Sequence, residues 1–391
     1  MRILHIIHSL DPLKGGPPEG VRRLAAAYQR EGHEIEVATL DDPAAPFLTE
    51  APFPIHAHGP GWLKYGYSSR LVRWLRANVA RFDAVIVNGL WQYHGRATWL
   101  AVHGRQPYAV FPHGMLDPYF NRPFLTKFVK KWLYWIFSER RLIADAHRVY
   151  FTSEAEQRLA ATSLWPYRAN GMVVPYGVPG PPSGDAEGLR QSFYRAWPPL
   201  EGKRFLLFLG RVHPKKGCDL LIEAFAAAAG DALDLVIAGP VEKAWKSRLQ
   251  QRAAELGVAW RVHWPGMLAG DAKWGAFFAS EAFILPSHQE NFGIAVAEAL
   301  ACGVPVLISD KVNIFDQVEG DGAALVEPDT LAGTTALIRR WLALSDAAKE
   351  EMRRAARRSF EARFDAERLS HATLACFVEA GDREQGTGIR H

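Results

Sequence analysis

Apolar runs of four to six residues recur along the chain, bounded by Gly, Pro and Asn, and between them apolar positions return at helical spacing. Residues 3–7 (Ile-Leu-His-Ile-Ile) predict a buried strand. A Gly15-Gly16-Pro17-Pro18 turn follows, then Val21, Leu24, Ala25 and Tyr28 at i, i+3, i+4 and i+7, which predicts a helix with proline in its first turn. Further strands are predicted over 34–40, 84–87, 108–112 and 148–152. Ser153, with Glu156 three residues on, predicts a capping box and a helix start. A second series begins after Pro179-Gly180-Pro181-Pro182-Ser183-Gly184, a composition that predicts a linker. It gives strands over 204–209, 234–238, 262–264, 282–285 and 305–309, a helix over 219–229, and amphipathic helices over 330–345, 347–363 and 366–380. The tail from Asp382 is polar.

Strand and helix alternate in both series, so the pattern predicts an α/β protein with two Rossmann-like, doubly wound parallel sheets. The expected division is residues 1–178 as an N-terminal domain, 179–203 as a linker, 204–364 as a C-terminal domain, and 365–391 as a final helix and tail. A length of 391 residues agrees with two cores, and 48% hydrophobic residues suffice to fill them. No uncharged apolar run of about 18 residues occurs, so no membrane-spanning helix is expected. The N-terminus reads as a strand rather than a signal peptide. Cys218, Cys302 and Cys376 are scattered, without a CxxC pair, which suits reduced thiols in the cytoplasm. A net charge of +4 permits an anionic ligand or membrane surface and does not call for nucleic acid.

The candidate chemistry is concentrated after the 282–285 strand. Glu290 lies in a polar loop and Glu298 eight residues on, in a helix expected to start near Gly293. Eight helical residues would rise about 12 Å, roughly the span from ribose to sugar in a nucleotide-sugar. The helix N-terminus between them offers N–H groups and a positive dipole end to a diphosphate. A bare pair of acids reads equally as an acid at a helix start plus a solvated acid. The frame around these two is fuller: Pro-Ser-x-x-Glu-x-Phe-Gly-x-x-x-x-Glu-Ala-x-Ala-x-Gly-x-Pro-Val, from Pro286 to Val306. It resembles the Glu-x7-Glu motif of retaining glycosyltransferases of family GT4. That resemblance implies the GT-B fold, two Rossmann-like domains with a deep interdomain cleft, the last helix crossing back to the N-terminal domain. It implies that Glu290 contacts donor sugar hydroxyls and Glu298 holds the nucleotide ribose, with Asn291, Phe292 and Gly293 also at the donor.

After the 204–209 strand, Gly210-Arg211-Val212-His213-Pro214-Lys215-Lys216-Gly217 is similar to the family's Gly-Arg-(x)4-Lys-Gly element. It implies Arg211 and Lys216 on the diphosphate, with Gly210 beside it. Fixed cations there stabilise leaving-group charge without a metal. Gly15-Gly16 is not GxGxxG, and the resemblance places it at the donor diphosphate. His113, in Phe-Pro-His-Gly-Met-Leu-Asp-Pro, matches the family histidine near the reacting carbon, and the extended form resembles a subgroup in bacterial polysaccharide assembly. Asp117 either meets the acceptor or caps the next helix. Trp264-Pro265-Gly266-Met267 resembles the loop beside the nucleotide base. Asn88 and Trp91 end a first-half strand on the acceptor side. Asn88 stands where relatives often have His, Tyr176 replaces a common Asn, and 310–313 depart from the usual Gly-x-x-Glu.

Residues 122–141 mix lysines and arginines with Trp132, Tyr134, Trp135 and Phe137. Most of these aromatics are expected in the core, with peripheral membrane contact as the second reading. The expected activity is retaining hexosyl transfer (EC 2.4 type) from an NDP-sugar to a glycan or lipid-linked glycan, in bacterial cell-surface polysaccharide synthesis. No cofactor, metal or nucleic acid is expected. A GT-B nucleotide-sugar epimerase or phosphorylase and a non-catalytic sugar-nucleotide-binding protein are the alternatives.

Overall fold

The computed structural model of the chain describes residues 1–14, 16–49, 51–121, 125–182, 184–230, 233–366, 373, 374 and 377. They part into two compact units: Met1–Gly177 with the described residues from Ala366 onward, and Val178–Asp365.

Unit 1 is built on strands β1 (Arg2–Ile7), β2 (Glu34–Thr39), β3 (Ile55–Ala57), β4 (Ala84–Asn88), β5 (Ala109–Phe111), β6 (Arg148–Phe151) and β7 (Gly171–Val173). All pair in parallel, in the order β3-β2-β1-β4-β5-β6-β7. Alternate side chains of a strand point to opposite faces, and both faces here are apolar. Leu4, Ile6, Val85 and Val87 join one cluster with Leu71, Leu75 and Trp135. Ile3, Ile7, Ala84 and Ile86 join another with Val21, Leu24 and Tyr28 of the helix Gly16–Arg30. Burial on both sides explains why these strands read as continuous apolar runs. Leu374 and Phe377 belong to the second cluster, and Tyr150 donates to the Thr373 carbonyl at 2.7 Å. The expected helix over 366–380 and the tail lie largely outside the described residues, as does Gly15.

Unit 2 repeats the scheme with β8 (Phe205–Leu209), β9 (Asp234–Ala238), β10 (Val262–Gly266), β11 (Ala282–Leu285), β12 (Val306–Ser309) and β13 (Ala324–Glu327), in the order β10-β9-β8-β11-β12-β13. The winding reverses between β8 and β11, where an open sheet holds its ligands. Residues 179–203, expected as a linker, contain the helix Ala186–Ala196, capped by Asp185. Its Leu189 and Phe193 are buried, and Arg190 donates to the Phe278 carbonyl at 3.0 Å. Gly275 makes that seat close, since a Cβ there would sit 2.0 Å from the Leu189 carbonyl oxygen. The Pro/Gly punctuation of 179–184 masked this apolar i, i+4 pair. Among the described residues no helix is long and apolar enough to cross a membrane.

Candidate active site

In unit 2 two loops meet at the switch point. The first leaves β8 at Gly210, whose carbonyl oxygen would lie 1.9 Å from a Cβ on Gly239, so that neighbour has to be glycine. Arg211 is exposed. His213 caps a 3-10 turn over Pro214–Lys216, its Nδ1 accepting from the Lys215 N–H at 3.2 Å. Gly217 then takes the left-handed φ of 67° and starts the helix Cys218–Ala228, and a Cβ there would meet the Pro286 carbonyl oxygen at 2.1 Å.

The second loop leaves β11 at Pro286. His288 N–H donates to the Lys215 carbonyl at 2.9 Å, and Lys215 Nζ donates to Gln289 Oε1 at 2.9 Å. Lys216 forms an ion pair with Glu290. Burial, and then the charge of Lys215, push the Lys216 ammonium below an ordinary lysine value. Glu290 is braced by backbone as well: its N–H donates to the Lys311 carbonyl (2.9 Å) and its carbonyl accepts from Asn313 N–H (3.0 Å).

The expected rise of eight helical residues between the two acids is not what forms. Gly293, at φ 81°, is the N-cap, and the helix spans Ile294–Ala301. Glu290 therefore sits in an ordered loop, and only the second half of the interval is helical. Glu298 is buried, 3.0 Å from Lys273 Nζ on the helix Gly270–Ala279. Lys273 is the cation sequence reading missed; a single lysine in a helix carries no spacing signal. The Phe292 side chain is also core rather than lining, packed edge-on to Phe364 with ring centroids 5.7 Å apart. Asn291 and Gly293 stay in the loop, and Gly266 closes β10 at φ 77° beside the exposed Met267.

In unit 1, His113 follows β5 with a left-handed φ of 53°. Its partners fix its proton. Asn88 Nδ2 donates to the Ile86 carbonyl at 3.2 Å, which turns Oδ1 toward His113 Nε2, also 3.2 Å away. His113 therefore carries its proton on Nε2, and Nδ1 accepts from the Tyr176 hydroxyl. Asn88 Nδ2 also donates to His5 Nδ1 at 3.1 Å. His94 Nε2 faces the carbonyls of Asn88 (3.0 Å) and Gly89 (3.2 Å), which only accept. Burial pushes His113 down to about 3 and His5 and His94 to about 4, so all three imidazoles are neutral at pH 7.

Glu156 is the second residue missed. Its N–H does donate to Ser153 Oγ (3.1 Å), as a cap requires. Its buried carboxylate accepts from the N–H of Gly114 (2.6 Å) and from Thr152 N–H and Oγ1 (2.7 Å each), anchoring the turn that holds His113. Asp117 caps the 3-10 turn Pro118–Asn121 by accepting from Tyr119 N–H at 2.8 Å. Trp91, at φ 73°, donates from its indole to the Met115 carbonyl at 3.1 Å, and Lys131 Nζ lies 4.6 Å from its ring centroid.

Two family models match this chain: Glycosyl transferases group 1 over residues 190–359, and Glycosyl transferase 4-like domain over residues 15–177. The chain belongs to the group 1 (GT4) glycosyltransferases, a retaining family with the GT-B fold. It is 26% identical over 386 residues to the D-rhamnosyltransferase WbpZ of Pseudomonas aeruginosa, covering 94% of this chain and 93% of that protein. It is 28% identical over 261 residues to a D-inositol 3-phosphate glycosyltransferase of Geodermatophilus obscurus, 63% of this chain and 56% of that relative, so the match spans about half of the relative's length. Among solved structures, Anabaena HepE in complex with UDP and glucose superposes with a TM-score of 0.75 at 19% identity, over 97% of this chain and 100% of that one.

Proposed function

We propose that this glycosyltransferase moves a hexosyl group from a UDP-sugar to a glycan or lipid-linked glycan of the bacterial cell surface, with retention and without a metal. The reading is carried by one observation: the loops after β8 and β11, locked together by Lys215–Gln289 and Lys216–Glu290, gather Arg211, Lys216 and Glu290 at the switch point of the unit 2 sheet. UDP is the nucleotide of the Anabaena HepE complex, and sugar transfer by the P. aeruginosa relative supports a hexose-type donor.

In the reaction, the bond between the anomeric carbon and the β-phosphate oxygen breaks, and the acceptor oxygen bonds to that carbon on the same face. The acceptor proton passes to the leaving phosphate. Arg211 and Lys216 take up the charge that builds on the diphosphate, Glu290 holds sugar hydroxyls, and Glu298 holds the ribose. His113, a neutral imidazole, is assigned to the transferred sugar, whose hydroxyl would compete with Asn88 Oδ1 for the Nε2 proton. A panel of nucleotide-sugars, scored by nucleotide release and thermal shift and followed by product analysis with and without acceptor, tests this. Sugar inversion without acceptor would mark an epimerase; binding without turnover on any acceptor would mark a binding protein.

Peripheral membrane contact is supported by one surface. Val129, Leu133 and Phe137 recur four apart and are exposed, and Trp165 beside them is 79% exposed, with Lys130 on the same helix. Sedimentation with anionic vesicles tests it, and Phe137→Ser with Trp165→Ser should release the protein.

A further inference from the structure

Directly after β3 the chain folds into a small hairpin that has no part in the site above. Trp62 and Tyr67 pair across it: Trp62 N–H donates to the Tyr67 carbonyl at 2.9 Å, and Tyr67 N–H to the Trp62 carbonyl at 3.2 Å. Residues directly opposite in an antiparallel pair project from the same face, their Cα atoms about 5.5 Å apart when they exchange both bonds. Both side chains point to solvent, Trp62 at 72% exposure and Tyr67 at 49%. Two aromatic side chains thus leave the hairpin toward solvent, Trp62 largely and Tyr67 about half exposed.

The hairpin is also pinned. A Cβ on Gly59 would lie 1.9 Å from the Leu40 carbonyl oxygen, and one on Gly61 2.4 Å from the Gly66 carbonyl carbon. On Gly66 it would lie 2.9 Å from His8 Cε1. Three glycines therefore let the hairpin backbone press against the end of β2, against itself and against the residue after β1. Leu63 holds the turn with φ 57°, a left-handed conformation unfavourable for a residue with a Cβ. Behind the exposed face the Tyr67 ring rests on Tyr93 (4.7 Å), Tyr93 on Tyr65 (5.6 Å) and Tyr65 on Tyr134 (5.5 Å). The Tyr134 hydroxyl donates on to that of Tyr65 at 2.8 Å. Close backbone contact fixes the hairpin that carries both aromatics, and the wall of rings backs Tyr67.

We infer that Trp62 and Tyr67 form a stacking platform for a pyranose ring of the acceptor glycan, a reading that rests on the glycosyltransfer proposed above. A pyranose offers a flat C–H face to an aromatic ring and hydroxyls at its rim, and the hairpin carries polar groups of its own in the Trp62 indole N–H, the Tyr67 hydroxyl and Lys64. The position fits: the hairpin sits at the C-terminal edge of the unit 1 sheet, where open α/β sheets take ligands. It touches His8, whose ring lies 6.3 Å from His94, and His94 in turn bonds the carbonyl of Asn88, the partner of His113. Three exposed large hydrophobic side chains (Trp62, Leu63, Tyr67) are too few for a protein interface, which buries about 1,200–2,000 Å². The broader apolar face suited to a membrane is that of Val129, Leu133 and Phe137.

The test uses saturation-transfer NMR on the full chain with a panel of methyl hexopyranosides, UDP calorimetry, and sedimentation with phosphatidylcholine–phosphatidylglycerol vesicles. Transfer to the ring C–H protons of a glycoside is expected with wild type and is expected to fall at least tenfold in Trp62→Ala/Tyr67→Ala. Tyr67→Phe, which keeps the ring, should retain it, and UDP affinity and vesicle binding should stay unchanged in every variant. Glycoside transfer undiminished in the double variant, no glycoside binding to wild type, or loss of vesicle binding alone would overturn the platform. Failure of wild type to bind any nucleoside diphosphate would instead sink the glycosyltransferase reading, whatever the platform does.

Discussion

Asn88 accepts the Nε2 proton of His113 across 3.2 Å and passes the polarity on, donating to His5 Nδ1 at 3.1 Å. Asn88 and Tyr176 both grip the same imidazole. Asn88→Ala should leave the buried His113 N–H without its acceptor and cost about 1–3 kcal/mol of stability. Turnover should fall while UDP affinity holds, because the donor cations belong to unit 2. Denaturant unfolding and steady-state kinetics in parallel check this; a variant with wild-type kcat would detach the network from catalysis.

Stability should depend on pH in two opposed windows. His5, His94 and His113 titrate near 4, 4 and 3 when folded, against 6.5 when unfolded. The unfolded chain thus binds more protons below 6.5. Their contribution is complete above that pH and is lost as pH falls toward 4, at up to about 1.4 kcal/mol per pH unit for each group. Glu139 runs the other way. Burial pushes its carboxyl up to about 8, so its contribution is complete below 4.5 and is lost as pH rises through 8. Thermal unfolding from pH 4 to 9 should show both limbs, and Glu139→Gln should flatten only the alkaline one.

Glu156→Ala should leave the N–H groups of Gly114 and Thr152 without their carboxylate. A loss of about 1–3 kcal/mol for each buried donor is expected, together with reduced kcat from a loosened His113 turn. Thermal melts and turnover measure the two effects. A variant as stable as wild type would show that water replaces the carboxylate.

Much of this was legible beforehand because local rules decide it. Continuous apolar runs gave both sheets, since strands covered on both faces have no polar positions. The Gly-Arg-(x)4-Lys-Gly and Glu-x7-Glu frames located the loops that Lys216 and Glu290 join. Tertiary partners decided the rest. Glu156 has the spacing of a cap, yet its carboxylate reaches across to Gly114, 42 residues away in sequence. The helix starts at Ile294, where the sequence placed it, but Glu290 in the loop before it depends on Lys311 and Asn313, which no local pattern announces. Leu189 and Phe193 make a helix of the expected linker only because helix Gly270–Ala279 receives them.

The two acids should separate kinetically. Glu298 would bind ribose in ground and transition state alike, so Glu298→Gln should mainly raise the donor KM. Lys273→Met should do the same more weakly, since Lys273 acts through Glu298. Glu290→Gln should lower kcat, by about 2–4 kcal/mol in the barrier if it stabilises the sugar as charge develops. The converse pattern, with Glu290→Gln altering only KM, would exchange the two roles.

Arg211 and Lys216 should both weaken UDP binding when truncated, but unequally. Arg211 is exposed, so Arg211→Ala removes a solvated cation and should cost about 1.5–3 kcal/mol, the range for a bond to a charged group. Lys216 is paired with the part-buried Glu290, so Lys216→Ala also leaves a carboxylate uncompensated next to an incoming diphosphate. Removing one member of such a pair costs more than the pair was worth, and the loss should exceed that of Arg211→Ala. Lys216→Ala/Glu290→Gln, which removes both charges, should regain part of the affinity. Calorimetry with UDP measures all three. Because these cations supply the charge a metal would otherwise bring, EDTA should leave both UDP affinity and turnover intact. Turnover abolished by EDTA and restored by magnesium would assign the phosphate charge to a metal instead, and unchanged UDP affinity in both single variants would remove Arg211 and Lys216 from the donor site.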